Sequence, residues 1–487
     1  MRNLLLIALL GGGMLGPLNA LGEEADHQTF ASGFPRPYVY QDRGLAPKGA
    51  GFTLNREGRL PAWLSLAVQH RARYETLDRA FRLGSTGSDQ VLALRTLAQA
   101  TLRLHRNFSI QLELQDSRAL FNDSGSVINP TLVNPSELLE ANLQWRARDL
   151  YGKGSRGLLR VGRLTLDVGK RRLVARNRFR NTKNAFTGVD AIWRAGTGET
   201  VRALVTLPVN RQPAAPARLL NNDASFDEES LDRILWGLFA STPHLPLESR
   251  GEIYLFGFYE EDGPTLPTAN RELYTPGWRL FRPARSASLD FEWETALQFG
   301  TSRASSAPTD TRDLDHFAHF HHVEAGYTFP LPASPRLRLA FDYASGDQDP
   351  NDGNNGSFFS LFGATVFDYG PTGIHRPFVR SNILGPGLEL SMRPRESIRA
   401  SVHYRAFWLA SSRDFWAGAS GLRDPGGASG SFLGQLIYWT GAWQATPNLF
   451  LEGGIAYRID GDFQKTAPGS PRRGHSLYTY LSFTVAF

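Results

Sequence analysis

From Leu64 onward the chain repeats one pattern, stretches of about ten residues in which apolar and polar side chains alternate. A period of two marks a strand with one dry and one wet face. Leu64, Leu66, Val68, Ala72 and Tyr74 fall on one face of the first stretch, and Ser65, Gln69, Arg71, Arg73 and Glu75 on the other. Leu92, Leu94, Ala98, Leu102 and Leu104 oppose Arg95, Gln99 and Arg103 in the same way. Phe291, Trp293, Leu297 and Phe299 oppose Glu292, Glu294 and Gln298, and Leu337, Leu339, Phe341 and Tyr343 oppose Arg338 and Asp342. Further on, Ile398, Ala400, Val402 and Tyr404 oppose Arg399, Ser401, His403 and Arg405. Strands of a soluble sandwich alternate too. Two features favour a membrane. Aromatic residues stand at strand ends (Tyr74, Trp145, Trp193, Tyr259, Tyr327, Tyr343, Trp408 and Tyr457), as in interfacial girdles. The polar face is also often charged, which suits a wet lumen better than a dry core.

The first residues set the compartment. Arg2, an apolar run from Leu4 to Leu10, three glycines and small residues up to Ala20 read as a secretory signal over 1–20. Beyond Ala20 no run of about 18 apolar residues occurs, so any crossing is made by strands. The chain has no cysteine, which excludes a disulfide framework and thiol chemistry. No Pro/Ser-rich linker divides it. The expected organisation is therefore a signal peptide (1–20), a periplasmic or plug segment (21–61) and one barrel (62–487). The expected fold is all-β, a closed antiparallel transmembrane barrel in the outer membrane of a Gram-negative bacterium, surrounded by lipid and lipopolysaccharide.

Connections alternate between short ones, such as Thr446 to Asn448 and Ala333 to Pro335, and long ones, such as Gly346 to Phe378 and Ser411 to Ser431. Short periplasmic turns and long extracellular loops are the barrel habit. The long loops are rich in Gly, Asn, Asp, Ser and Pro, which reads as exposed or folded inward as a constriction. The last strand places Thr479, Leu481, Phe483, Val485 and Phe487 on one face, and the terminal Phe487 is the expected handle for barrel assembly machinery.

Positive charge is local. Between Arg160 and Arg194 the chain carries ten basic and two acidic residues, a window of +8 in a chain whose net is +6. The block could be a solvated loop, or could meet anionic lipopolysaccharide. In a lumen, its guanidiniums would present planar, permanently charged forks to carboxylates and sulfates, and fixed charge in a narrow channel concentrates counter-ions. The expected basic path takes Arg160, Arg163, Lys170, Arg171, Arg172, Arg176, Arg178, Arg180 and Lys183 from this block. Arg71, Arg73, Arg95, Arg103, Arg118, Arg376, Arg380, Arg399 and Arg405 are expected to extend it.

Other motifs point away from chemistry. Of the histidines at 316, 319, 321 and 322, His319 and His321 share a strand face and His322 does not, with Glu324 the only acid beside them, so they read as a polar barrel rim. Asp347, Asp349, Asn351 and Asp352 resemble a calcium loop, but the glycine stands one place late and the twelfth-position glutamate is missing. Gly169-Lys170-Arg171 lacks the phosphate-loop pattern, and no nucleophile elbow occurs. Ser401 and His403 share a face without an evident acid. No metal, cofactor, nucleic acid or catalysis is expected.

Several stretches carry a family resemblance: Gln115-Asp116-Ser117-Arg118, Val161-Gly162-Arg163, Phe186-Thr187-Gly188-Val189, Ser345-Gly346-Asp347-Gln348-Asp349-Pro350, Arg380-Ser381-Asn382-Ile383 and Gly461-Asp462-Phe463. In order and spacing they resemble the alginate export family of outer-membrane proteins. The resemblance implies an 18-stranded barrel passing an anionic uronate polysaccharide, with a basic constriction to which Arg163 and Arg380 correspond. The chain departs from the alginate exporter at Phe450 and Glu452, where that protein has arginines, and at Leu436-Ile437-Tyr438, where two carboxylates are missing. The expected function is passive passage of anionic polysaccharide or oligosaccharide, together with periplasmic export partners. The alternatives are an uptake porin for small organic anions and, from another class, an outer-membrane enzyme.

Overall fold

The computed structural model describes residues 60–85, 87–263 and 266–486. The expected signal peptide, nearly all of the 21–61 segment and Phe487 lie outside them. Alternating stretches become strands β1 (Leu64–Asp78), β2 (Asp89–His105), β3 (Phe108–Leu120), β4 (Asn134–Arg148), β5 (Arg156–Leu164) and β6 (Phe186–Arg194). Next come β7 (Thr200–Pro208), β8 (Arg233–Leu245), β9 (Ser249–Glu260), β10 (Glu272–Arg282), β11 (Ser288–Ser302), β12 (Leu314–Thr328) and β13 (Arg336–Ala344). The rest are β14 (Asn354–Asn355), β15 (Ile383–Arg395), β16 (Ile398–Trp408), β17 (Phe432–Gln444), β18 (Leu449–Asp460) and β19 (Ser476–Ala486).

The wall closes on itself. β1 pairs antiparallel with β2 on one side and with β19 on the other, so Arg71 faces both Arg95 and Thr484. Closure leaves the wall no unpaired edge, which a spanning sheet requires because hydrocarbon offers no hydrogen bonds. β13 pairs directly with β15, while the two-residue β14 lies parallel against β12, so β14 belongs to a loop. Eighteen antiparallel strands make the barrel.

Alternation decides which side chains meet lipid. On β11, Trp293, Leu297 and Phe299 are exposed on the outside, whereas Glu292, Glu294 and Gln298 are buried inside. The outer surface carries aromatics such as Trp439, Trp443, Tyr457 and Phe483.

Two long loops do not stay outside. Residues 165–185, between β5 and β6, and 345–382, between β13 and β15, pack Leu166, Leu173, Val174, Phe179, Phe358, Tyr369 and Phe378 against inward wall residues including Phe186, Phe258, Phe320 and Phe407. Each such side chain removed from water contributes about 1.5–3 kcal/mol, which offsets the entropy of ordering a loop. The apolar content of 165–185 is thus the reason it folds inward.

Candidate functional site

The two inward loops are joined to each other and to opposite walls. Phe362 N donates to Leu173 O at 2.9 Å, and Ala364 N to Arg171 O at 2.9 Å. Asn184 Nδ2 donates to Phe362 O at 3.1 Å. At one end, Asn181 Nδ2 reaches the carbonyls of Leu94, Arg118 and Leu132, and Ser117 Oγ donates to Asn181 O at 3.0 Å. At the other, Arg172 meets Glu292 and Glu294 of β11 and, at 3.0 Å, Asp368 of the second loop. In a ring of eighteen strands, β11 lies roughly opposite β1 to β3, so loop 165–185 spans the lumen. The second loop spans it too, from Asp368 beside β13 and β16 to Ile374, whose N donates to Glu75 of β1 at 2.8 Å.

Asp368 is the hub of this clasp. It accepts from Arg172 and, at 2.5 Å, from Arg380, whose other branch donates to Arg172 O at 2.7 Å. Arg405 binds Asp342 at 2.5 Å and the Asp368 carbonyl. His322 Nδ1 lies 2.8 Å from Asp342. His322, Asp342 and Asp368 are close enough together to hold a cation. Three guanidiniums already occupy the two carboxylates, which makes this an ion-pair network. Burial works against the charge on Arg172, yet Asp368, Glu292 and Glu294 outweigh it and hold its pKa well above the ordinary value.

The basic block divides. Arg160 pairs with Asp190 at 2.6 Å, Arg176 with Glu113 at 2.6 Å and Glu140 at 3.1 Å, and Arg178 with Asp167 at 2.8 Å. Arg163 is part-buried against Glu137 at 2.9 Å, with Asp227 at 3.6 Å. Lys170 stands 3.8 Å from Glu292, and Arg171 is buried on the same loop. Asp167 and Asp190 match two of these groups from within 160–194, and Glu113, Glu137, Glu140, Asp227 and Glu292 match others from strands and loops that a count along that window does not contain.

A second group is cationic. Arg71 donates to the carbonyls of Phe179 at 2.9 Å and Arg180 at 3.2 Å, Arg73 to Phe179 O at 2.5 Å, and Arg95 to Arg180 O at 3.0 Å. Lys183 Nζ donates to Arg178 O at 2.8 Å. Burial, then Arg95, Arg71, Arg176 and Arg178, pull the Lys183 pKa well down. Burial, then Arg376 and Arg211, do the same to Arg180. Positive charge therefore gathers where loop 165–185 meets β1 and β2. Arg399, by its parity with Ser401 and His403, lies on the inner face of β16, and Arg103 sits exposed at the short-turn mouth, bound to Ala62 O and Ser65 Oγ.

Two expectations are corrected. Arg118 does not face the lumen: Gln115, Ser117 and Ala119 do, which turns Arg118 outward, where it pairs with Asp116 at 3.0 Å. It stands near the loop end of β3, where water is available and an outward charge is tolerated. The histidines are not a rim either, because His316 and His322 are buried inside, while His319 and His321 lie on the outer face, 3.0 Å apart. The structure also brings an acid to Ser401 and His403. His403 Nε2 is 2.9 Å from Ser401 Oγ, and its Nδ1 is 3.4 Å from Glu389. Glu389 is bound to Arg338, so it is committed elsewhere.

A closed antiparallel barrel with an inward-folded pair of loops defines an outer-membrane channel. The sequence profile described as alginate export matches residues 62–475, and the chain belongs to that family. No curated protein matches the chain. Among solved structures it is similar to OccAB1 of Acinetobacter baumannii, at 10% identity and a TM-score of 0.56, covering 87% of this chain and 96% of that one. OpdK of Pseudomonas aeruginosa is similar at 12% identity and a TM-score of 0.54, covering 87% and 98%. OccD3 (OpdP) of the same organism is similar at 11% and 0.52, covering 88% and 92%. At these identities the likeness is one of fold.

Proposed function

We propose that this channel passes anionic saccharides by passive diffusion, past the cationic group where Arg71, Arg95, Arg180 and Lys183 surround residues 178–181. That group supports the reading because cations crowded in a low-dielectric lumen are relieved by an anion and worsened by a cation. Family membership supports the saccharide. The terminal strand beside β1 fits recognition of Phe487 by assembly machinery, and the family suggests periplasmic export partners.

The test is the reversal potential in planar bilayers across a salt gradient. The wild-type channel should be anion-selective, Lys183→Met and Arg95→Met should each reduce that preference, and the outward Arg118→Gln should leave it unchanged. Cation selectivity would overturn the proposal. A second reading, passage of small organic anions, is favoured by the lumen-filling Phe179, Tyr369 and Phe378. Flux into vesicles of uronate oligomers of increasing length, compared with small organic acids, separates the two.

A further inference from the structure

Above the clasp, on the side of the long loops, lies a cavity of about 170 Å³. It is lined by four guanidiniums, those of Arg73, Arg82, Arg180 and Arg376, together with Thr131 and Thr372. The lining comes from the top of β1 and from five separate loops, 79–88, 121–133, 165–185, 345–382 and 409–431. No carboxylate is among the described lining residues. Just behind the lining, Glu75 forms a buried ion pair with Arg73 at 2.6 Å and also accepts from Tyr478 Oη at 2.9 Å and Ile374 N, and Asp89 accepts from Val127 N at 2.8 Å.

Glu75 neutralises Arg73, which leaves Arg82, Arg180 and Arg376, whose like charges repel unless something neutralises them. Burial, then Arg376, draw the Arg82 pKa down to about 9, and burial, then Arg211, lower that of Arg376. Donors are also left over. Arg376 Nε and Thr372 Oγ1 are buried without a hydrogen-bond partner among the described residues. Arg376 itself has a φ of +29°, a conformation that the surroundings must enforce, as happens at ligand clamps. Buried donors without partners are uncommon and ask for an acceptor.

We propose that this cavity binds one compact dianion, of the size of phosphate or a short dicarboxylate, which fastens the five loops to the wall. Size argues for a compact ligand. An apolar cavity of about 150 Å³ accommodates benzene, so the space within this partly open one takes about six to eight non-hydrogen atoms, and a uronate unit, with about a dozen, would extend out of it. Charge argues for more than one negative oxygen group, since guanidinium forks bind oxyanions in pairs of charge-assisted bonds. The site shares Arg180 with the cationic group of the proposed path, but Arg82 and Arg376 belong to the cavity alone, so substitutions at those two test it independently of the cargo.

The test uses the full chain in detergent or nanodiscs at constant ionic strength. Inorganic phosphate, sulfate, succinate, chloride and a uronate trisaccharide are titrated by calorimetry, with tryptophan fluorescence as a second readout because Trp416 adjoins the lining residue Ala417. Phosphate or succinate should bind saturably at one site per chain, and chloride should not. Arg376→Gln and Arg82→Lys should each weaken binding by about tenfold or more, while Arg118→Gln leaves it unchanged. Heat-modified gel mobility confirms that each barrel is intact, and Arg82→Lys serves if Arg376→Gln fails to assemble. The absence of saturable binding by any compact dianion overturns the site, as does binding indifferent to both variants or a trisaccharide that binds more tightly and competes. Ion selectivity is measured separately, so either proposal can fail while the other stands.

Discussion

Arg172 and Glu294 meet inside the barrel with Nη1 and Oε2 2.5 Å apart, although one belongs to the loop after β5 and the other to β11. Both are almost fully buried, and Arg172 also holds Glu292 and Asp368. One side chain thus joins the first inward loop to the far wall and to the second loop. The lumen's shape depends on this junction more than on any count of positive charge.

Arg172→Ala should therefore open the channel. The variant takes from Glu294 its guanidinium and leaves Glu292 to Arg279 and Asp368 to Arg380, and breaking a buried pair typically costs about 3–5 kcal/mol. The expected outcome is a larger and noisier single-channel conductance in planar bilayers, with the barrel still assembled, because the wall's hydrogen bonds are untouched. A conductance trace like that of the wild type would show that the clasp does not limit the lumen.

The second loop should respond to acid through His375. Its ring stacks on Tyr478 of β19 at 5.0 Å and 8°, and neither ring nitrogen has a partner among the described residues. Burial, then Arg458 of β18 and Arg82, hold its pKa well below the ordinary value, and the nearby carboxylate of Glu75 is taken up by Arg73, the Tyr478 hydroxyl and Ile374 N. A histidine lowered on docking contributes stability that is complete above its undocked pKa of about 6.5 and is lost as pH falls below it, since only the released segment can take the proton. Brief openings should become more frequent between about pH 7 and about pH 5. His375→Phe, which keeps the stacking, should remove that response. An identical acid response in the variant would assign it to another group.

How far the sequence reveals all this depends on the range of the interaction. Parity along a strand is local, so Glu292 and Glu294 are legible as inward beside outward Trp293, and the barrel follows. The partner of those carboxylates lies on a loop more than a hundred residues away, and nothing local announces it. Apolar Leu166, Leu173, Val174 and Phe179 in a loop of otherwise polar character are the one signal that 165–185 turns inward. Arg118 was readable from its spacing to Gln115 and from Asp116 two residues before it, but the expectation that charge avoids lipid obscures a position where the strand has left the hydrocarbon. The cavity could not be read at all, because its four arginines come from four separate stretches.

The Val161-Gly162-Arg163 motif has a backbone reason that can be tested. Gly162 pairs with Asn142 and Gly188 at a φ of +121°, which residues with a Cβ rarely adopt. A Cβ there would also press into the carbonyl oxygen of Ala141. Strain and clash act together, so Gly162→Ala should cost on the order of 1–3 kcal/mol, read as a lower urea midpoint in lipid vesicles. The end of β5 must shift to relieve the clash, which would draw Arg163 away from Glu137 and loosen loop 209–232 around Asp227. Gly441 on β17 is the control, since a Cβ there meets nothing within 4 Å. Gly441→Ala should stay within about 0.5 kcal/mol of the wild type. Equal effects at both positions would mean that the motif's glycine answers to something other than its backbone.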